Sequence, residues 1–501
     1  MTISGLNRET SLQRLRDRPE PWDVLVIGGG ATGIAVALDA ATRGLSVALA
    51  EQSDFGKGTS SRSTKLVHGG VRYLRQGNLT LVRDALRERT RLRQNAPHVV
   101  HDMQFLVPCH NWWERFFYGV GMKVYDLLAT GNSFGRSRGV SLDETLRIVP
   151  TLRRGVSRGG VIYHDGQFDD TRLLFDMALT AASQGACLTN YLAVTALHHN
   201  TDGRLNGVDA IDQETSQSYR IHAKCIVNAA GPFCDAVRHL DDPSCARLVA
   251  ASQGVHLVLP RKFFPGETAL MVPKTSDGRL IFIIPWHDHV LVGTTDTPID
   301  RATLEPQATA AEIDFLLTTA AIYLQESPTR GDILSVFTGI RPLVKGDPSA
   351  RTASLSRDHV IRISESGLVT ITGGKWTTVR KMAEDCMDQV IAKTHFAAPK
   401  SQTANLRLQT RVESPDTLES LHKSCRLTQP DIQYAVQFEM ARCVEDMLAR
   451  RSRMLFLNAR AAIEVAPKVA HLIAQQLGRD NHWIDSQVSG FTALAQRYLP
   501  S

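Results

Sequence analysis

The stretch TSSRSTKLVHGGVRYL, residues 59–74, gathers five Ser/Thr hydroxyls, three cationic side chains, one histidine and a Gly-Gly pair. Hydroxyls, cations and glycine-exposed backbone N–H groups bind polar and anionic ligands and bury little apolar surface. A second cluster lies just upstream, where Gly28-x-Gly30-x-x-Gly33 is followed eighteen residues after Gly33 by Glu51. That spacing fits a dinucleotide site. Gly28 permits the tight turn, Gly30 lets a pyrophosphate approach the backbone, and Gly33 lets helix and strand pack closely. Glu51 is placed to accept hydrogen bonds from ribose hydroxyls.

The elements that must position these groups are legible around them. Val24–Ile27 is a continuous apolar run, as in a parallel strand covered on both faces. Ala31–Thr42 favours a helix that Gly44 ends, and Ser46–Ala50 returns as a second buried strand. The result is a right-handed βαβ unit with the phosphates at the helix N-terminus. Cys225–Val237 reads as a strand entering a small-residue turn. Leu368–Ile391 reads as a strand, a Gly-Gly turn and a long helix, so both ends of the chain converge on one cofactor. Between them GVHLVLP and RLIFIIPWHDHVLVGTTD read as strands of a substrate-covering sheet. Beyond residue 395 a helical period (Val436, Met440, Val444, Met447, Leu448) indicates a helical domain.

The composition sets wider bounds. A chain of 501 residues exceeds one usual core and implies two or three domains. The formal charge of +6 suits an anionic substrate or membrane surface. No basic tract is interleaved with stacking aromatics, which argues against nucleic acid. The eight cysteines have no CxxC or zinc-type spacing, so no metal site is expected. The N-terminus lacks a signal-peptide core, and no run of eighteen apolar residues predicts a spanning helix.

The fingerprint, the hydroxyl-rich run and the segments FDDTRLL, NAAGP, GTTDTP, GIRPL, SRDH, GGKWTT and EDMLARRSRMLFLNARAA occur in one order. Together they resemble the FAD-dependent, quinone-linked glycerol-3-phosphate dehydrogenases over nearly the whole chain. The resemblance implies an α/β fold: a Rossmann-like FAD-binding domain, an interleaved β-sheet substrate cap and a C-terminal helical domain. The FAD-dependent part would span 20–395, with FAD-binding pieces at about 20–90, 160–250 and 335–395 and the cap at about 91–159 and 251–334. The helical domain would span 396–501. The implied reaction oxidises sn-glycerol 3-phosphate to dihydroxyacetone phosphate, with hydride passing from C2 to flavin N5 and electrons continuing to a quinone.

The same resemblance distributes roles. Thr59, Ser60, Ser61, Ser63, Thr64, Lys65 and Leu66 would wrap the FAD, joined by Gly231, Gly374 and Thr377. Gly69-Gly70 would allow close passage beside the isoalloxazine ring. Arg72 and Arg357 would grip the substrate phosphate, with Tyr73 beside them. Arg341 would stabilise the alkoxide developing at C2. Lys375 would neutralise the charge gained by the reduced flavin. His68 and His256 are both candidates for the base. Asp169 and Asp170 are expected to hold a turn before the helix at Thr171. Gln253 and Val379 stand where the family commonly has lysine and tyrosine.

Asn111–Gly131 puts Trp112, Phe116, Val120, Val124 and Leu127 on one helical stripe near Arg115 and Lys123. This suits an interfacial helix on an anionic membrane as well as a packed cap helix. A membrane quinone as partner implies peripheral attachment to the inner face of the cytoplasmic membrane. The helical domain would serve a homodimer or stability alone. The motifs read equally as an oxidase using oxygen, and a flavin-binding protein without turnover remains the alternative outside enzymology.

Overall fold

Val24, Leu25 and Val26 are fully buried, because their strand lies inside a parallel sheet with both faces covered. The computed structural model describes residues 5–71, 78–273, 275, 278–344, 359–411, 415, 417–424 and 426–500. In the first sheet, strands Val369–Gly373, Ser218–Asn228, Trp22–Ile27, Val47–Ala50 and Cys187–Thr189 run parallel, and His359–Ile363 joins one edge antiparallel. Helices Ala31–Thr42, Asp170–Ser183 and Val379–Thr394 share one apolar core with it. The opposite face is covered by an antiparallel meander, Leu192–His199 and Leu205–Asp212 continuing into Ser218–Asn228.

A second, larger sheet follows the order Thr297–Ile299, Val249–Pro260, His289–Gly293, Ile281–Trp286, Ala269–Val272, Val100–Pro108, Gly160–Phe168, Leu66–Val67. Ser335–Val344 lies along Val249–Pro260. Gly160–Phe168 and Ser335–Val344 were expected among the FAD-binding pieces, and both are strands of this second sheet. Gly160–Phe168 pairs with Val100–Pro108 from end to end, which fixes its place. One face of the sheet packs on helix Ala310–Tyr323. The other forms one apolar core with the C-terminal helices Met454–Leu457, Ala459–Leu477 and Asn481–Gln496.

The helical period from Asp431 to Phe456 is not one helix. Gln429–Phe438 ends at Glu439, Met440 adopts φ of 53°, and a π-helical turn, Asp446–Arg451, follows. Helix Trp112–Leu128 starts at Asn111, whose side chain accepts from the Glu114 N–H at 2.9 Å. Only Met122 and Tyr125 on it are buried, while Trp112 is 68% and Leu127 73% exposed.

Candidate active site

The two sheets enclose a cavity of about 1870 Å³, roughly twice the ~300–1,000 Å³ of ordinary ligand sites. Part of its wall is the glycine fingerprint. Gly28 has φ of 108°, and a Cβ there would meet the Ala229 carbonyl oxygen at 2.8 Å. A Cβ on Gly33 would lie 1.9 Å from the Gly28 carbonyl oxygen, so helix and strand approach this closely only with glycine. Gly30 caps Ala31–Thr42 without a side-chain hydrogen bond, which leaves N–H groups at the helix start for an anion. Glu51 sits at the cavity edge and accepts from the Gly29 and Ser53 N–H groups at 2.6 and 2.8 Å.

The hydroxyl-rich run forms the adjoining wall, but not every member faces inward. Thr59, Ser60, Ser63, Thr64 and Leu66 line the cavity. The Ser60 hydroxyl accepts from the Ala31 N–H at 2.9 Å, and Thr59 Oγ1 donates to the Ile340 carbonyl at 2.6 Å. Ser61 and Lys65 do not reach the cavity. Lys65 is fully buried at φ of 62°, and its ammonium donates to Asp170 at 2.7 Å and to the Ser61 carbonyl at 2.7 Å. Burial lowers its pKa against the pull of Asp170. The Lys65 side chain is thus spent on an internal ion pair, which leaves the hydroxyls and main chain of the run to face the cavity. Asp170 also accepts from the Ser63 hydroxyl at 2.7 Å, while Asp169 caps helix Asp170–Ser183. The turn expected before Thr171 thus opens one residue earlier and doubles as an anchor for the hydroxyl-rich run.

Arg341, His256, His68 and Lys375 line the same cavity, with Gly231, Gly374, Thr377 and Val379. Arg341 stands opposite Ser252 on the neighbouring antiparallel strand, and His256 stands opposite Phe337. A side chain at Gly254 would strike the Arg341 guanidinium at 2.4 Å, so this glycine lets the arginine lie across the sheet. Arg341 donates to Thr294 Oγ1 at 3.1 Å and is 3.5 Å from Asp296. His256 stacks on Phe337, with ring centroids 4.9 Å apart, and its Nε2 is 2.9 Å from Thr64 Oγ1. Burial, then the Arg341 and Lys65 charges, hold its pKa well below the ordinary imidazole value. The imidazole is thereby kept neutral, which a proton acceptor requires.

His68 is tied to Thr377 through both main-chain groups, with its N–H donating to Oγ1 at 3.1 Å and its carbonyl accepting from it at 3.3 Å. The next N–H, that of Gly69, donates to the Tyr125 hydroxyl at 2.9 Å. Tyr125 in turn donates to Asp165 at 2.7 Å, and Asp165 pairs with Arg89 at 2.6 Å. Sequence reasoning missed this buried trio. Its one local signal is Tyr125 interrupting the polar side of a strongly apolar helix. Gln253 does not face the cavity and donates to Glu312 at 2.7 Å. Arg72, Tyr73 and Arg357 lie outside the described residues.

A glycine cradle at a helix N-terminus, a carboxylate one strand away and the cations Arg341 and Lys375 on the same cavity fit a flavin dinucleotide beside a small anion, and define a flavin-dependent oxidoreductase. A family model described as FAD dependent oxidoreductase matches residues 23–380. A second, described as the C-terminal domain of alpha-glycerophosphate oxidase, matches 369–483. The mitochondrial glycerol-3-phosphate dehydrogenase of Macaca fascicularis is 40% identical over 95% of this chain and 73% of its own. The human enzyme is 39% identical over 98% and 75%. The crystal structure of glycerol-3-phosphate dehydrogenase from Bacillus halodurans, complexed with FAD, superposes with a TM-score of 0.79 at 29% identity, covering 98% of this chain and 97% of that one. The chain belongs to the FAD-dependent glycerol-3-phosphate dehydrogenase family, and FAD is its cofactor.

Proposed function

We propose that the protein oxidises sn-glycerol 3-phosphate to dihydroxyacetone phosphate and delivers the electrons to a membrane quinone. The observation that carries this reading is one continuous cavity lined both by the dinucleotide cradle and by Arg341, His256, His68 and Lys375. Bound FAD supplies the hydride acceptor. Arg341 stabilises the alkoxide as the C2 hydroxyl loses its proton, and Lys375 offsets the negative charge that collects beside it. The proton goes to one of the two histidines. His256 is supported by its neutral state and by Thr64, which fixes the ring. Arg72 and Arg357 hold the substrate phosphate.

The quinone is supported by the cavity's flank. Phe105, Tyr163, Met271 and Phe282 continue as an apolar wall to Trp113, Phe116 and Phe117 on the exposed helix Trp112–Leu128. No helix among the described residues is long and apolar enough to cross a membrane. An exposed aromatic face flanked by Arg115 and Lys123 supports peripheral attachment, and the membrane we assign is the cytoplasmic one, at its inner face. An oxygen-using oxidase is the second reading, favoured by the description of the C-terminal family model.

Anaerobic titration with sn-glycerol 3-phosphate is expected to bleach the visible flavin absorbance, and a soluble quinone analogue to restore it. A flavin that stays oxidised in excess substrate would remove the activity. Peroxide release outpacing quinone reduction in air would select the oxidase. The wild type should pellet with anionic vesicles, and replacing Trp112 and Phe116 by serine should leave the protein in the supernatant. An unchanged distribution excludes this helix as the attachment.

A further inference from the structure

Loop 51–58 follows the second strand of the βαβ unit, and Glu51, Gln52, Gly56, Lys57 and Gly58 on it line the cavity. The loop is pressed against the fingerprint: the Gly56 N–H donates to the Gly29 carbonyl at 3.0 Å, and a Cβ on Gly29 would meet Phe55 at 2.7 Å. On its far side the loop carries Asp54, which has no exposure. Asp54 is held by two consecutive arginines almost four hundred residues away. Arg450 Nε pairs with one carboxylate oxygen, and Arg451 spans both, with Nη2 to Oδ1 at 3.0 Å. Both belong to the π-helical turn Asp446–Arg451, an element frequent at functional sites. Arg450 also pairs with Asp446 at 2.7 Å and with Glu445 at 2.8 Å, and Glu445 reaches back to Lys57 on the loop at 2.8 Å. Asn190 completes the shell by donating to Asp54 at 3.3 Å.

We propose that Arg450 and Arg451 are positioning residues for the cofactor, through which the C-terminal helices hold loop 51–58 in the shape that receives the adenosine and pyrophosphate half of FAD. A loop tethered only through its ends would sample many conformations, and the ordering entropy would be charged to binding. Here the protein orders the loop before FAD arrives. A desolvated carboxylate with two guanidinium partners is a fastening that loses most of its strength when one partner goes. The loop's far side thus depends on residues the fingerprint does not contain. The inference rests on the reading that Glu51 receives the ribose.

Five proteins test it: wild type, Arg451→Met, Arg451→Lys, Glu445→Gln and Glu51→Ala. Glu445 is the milder site, because it is partly exposed and does not line the cavity. Apoprotein is prepared from each, and the FAD dissociation constant is measured by quenching of flavin fluorescence, together with the apoprotein melting temperature and kcat at saturating FAD. Arg451→Met should raise the FAD Kd by roughly tenfold or more, Glu445→Gln by about three- to tenfold, and Arg451→Lys should recover part of the loss. Saturating FAD should return kcat and the substrate KM to near wild-type values, because the loop carries none of Arg341, His256, His68 and Lys375. If Glu51→Ala binds FAD as wild type does, the reading of the loop fails and the proposal with it. If Glu51→Ala is weakened while Glu445→Gln keeps the wild-type Kd, the proposal alone is overturned. Loss of melting temperature without a change in Kd assigns the arginines to stability and also overturns it. Should Arg451→Met fail to fold, Glu445→Gln decides.

Discussion

The Lys65–Asp170 pair can be tested by removing first one partner and then both. Neither side chain has any exposure, and the two lie 2.7 Å apart. Lys65→Met leaves a buried carboxylate that retains only the Ser63 hydroxyl and N–H and the Thr171 hydroxyl. Removing one partner of a buried pair costs about 3–5 kcal/mol, whereas replacing both by apolar groups of similar size is about neutral. At about 1.4 kcal/mol per tenfold, the single change shifts the equilibrium between ordered and disordered loop by about a hundredfold to a few thousandfold. The apolar surroundings suit the double replacement, since the Lys65 ammonium lies 4.9 Å from the Trp286 ring and 5.4 Å from that of Phe337. Met cannot supply the donor lost to the Ser61 carbonyl, so the double variant should fall short of full recovery by about 1 kcal/mol.

The assay is a cycle of four holoproteins: wild type, Lys65→Met, Asp170→Leu and Lys65→Met/Asp170→Leu. The first urea transition is followed by release of flavin fluorescence, and the FAD Kd is measured in parallel. The expected coupling energy is at least about 2 kcal/mol, with the double variant more stable than either single one. Additivity within about 0.5 kcal/mol would refute the pair as a unit. A double variant that is stable yet binds FAD as weakly as Lys65→Met would refute the placement, since Lys65 would then act on the pyrophosphate itself.

Tyr125→Phe removes the hydroxyl that accepts from Gly69 and donates to Asp165, leaving a buried N–H with only the 3.3 Å Asp165 contact. The expected cost is about 1–3 kcal/mol of loop order, read as a lower kcat with full FAD content, and unchanged kcat would exclude Tyr125 from positioning His68. Gly33→Ala puts a Cβ 1.9 Å from the Gly28 carbonyl oxygen and should yield flavin-free protein, scored by the ratio of visible to ultraviolet absorbance. For His256 the folded pKa lies below the unfolded one, chiefly through burial. The unfolded state therefore binds more protons as pH falls below about 6.5, and stability drops through that window rather than rising. Urea midpoints between about pH 7 and 5 should fall less steeply in His256→Phe than in wild type, and parallel slopes would contradict the shift.

What could be read from the sequence was local. Gly28, Gly30, Gly33 and Glu51 fall within one βαβ unit, so spacing alone reports their relation: Gly28, Gly30 and Glu51 line the cavity, and Gly33 packs against the Gly28 carbonyl. Gly160–Phe168 belongs to the second sheet because it pairs with Val100–Pro108, some sixty residues upstream, and nothing within GVIYHDGQF names that partner. The limit is sharper for charged groups. A lysine amid serines and threonines looks like an anion ligand. Its actual anion, Asp170, is 105 residues away, and the partners of Asp54 are 396 and 397 away.

Burial makes such pairs necessary. Once the fold removes a carboxylate from water it must bring a cation or several donors, wherever in the chain they lie. Hence each charge on a cofactor-binding loop can face outward to the ligand or inward to a distant partner, and residue type does not separate the two. In this chain Arg341 faces the cavity, whereas Lys65 and Asp54 face inward. The distinction resides in the neighbouring motif: FDDTRLL carries the acid that claims Lys65, and MLARRSRMLF the arginines that claim Asp54.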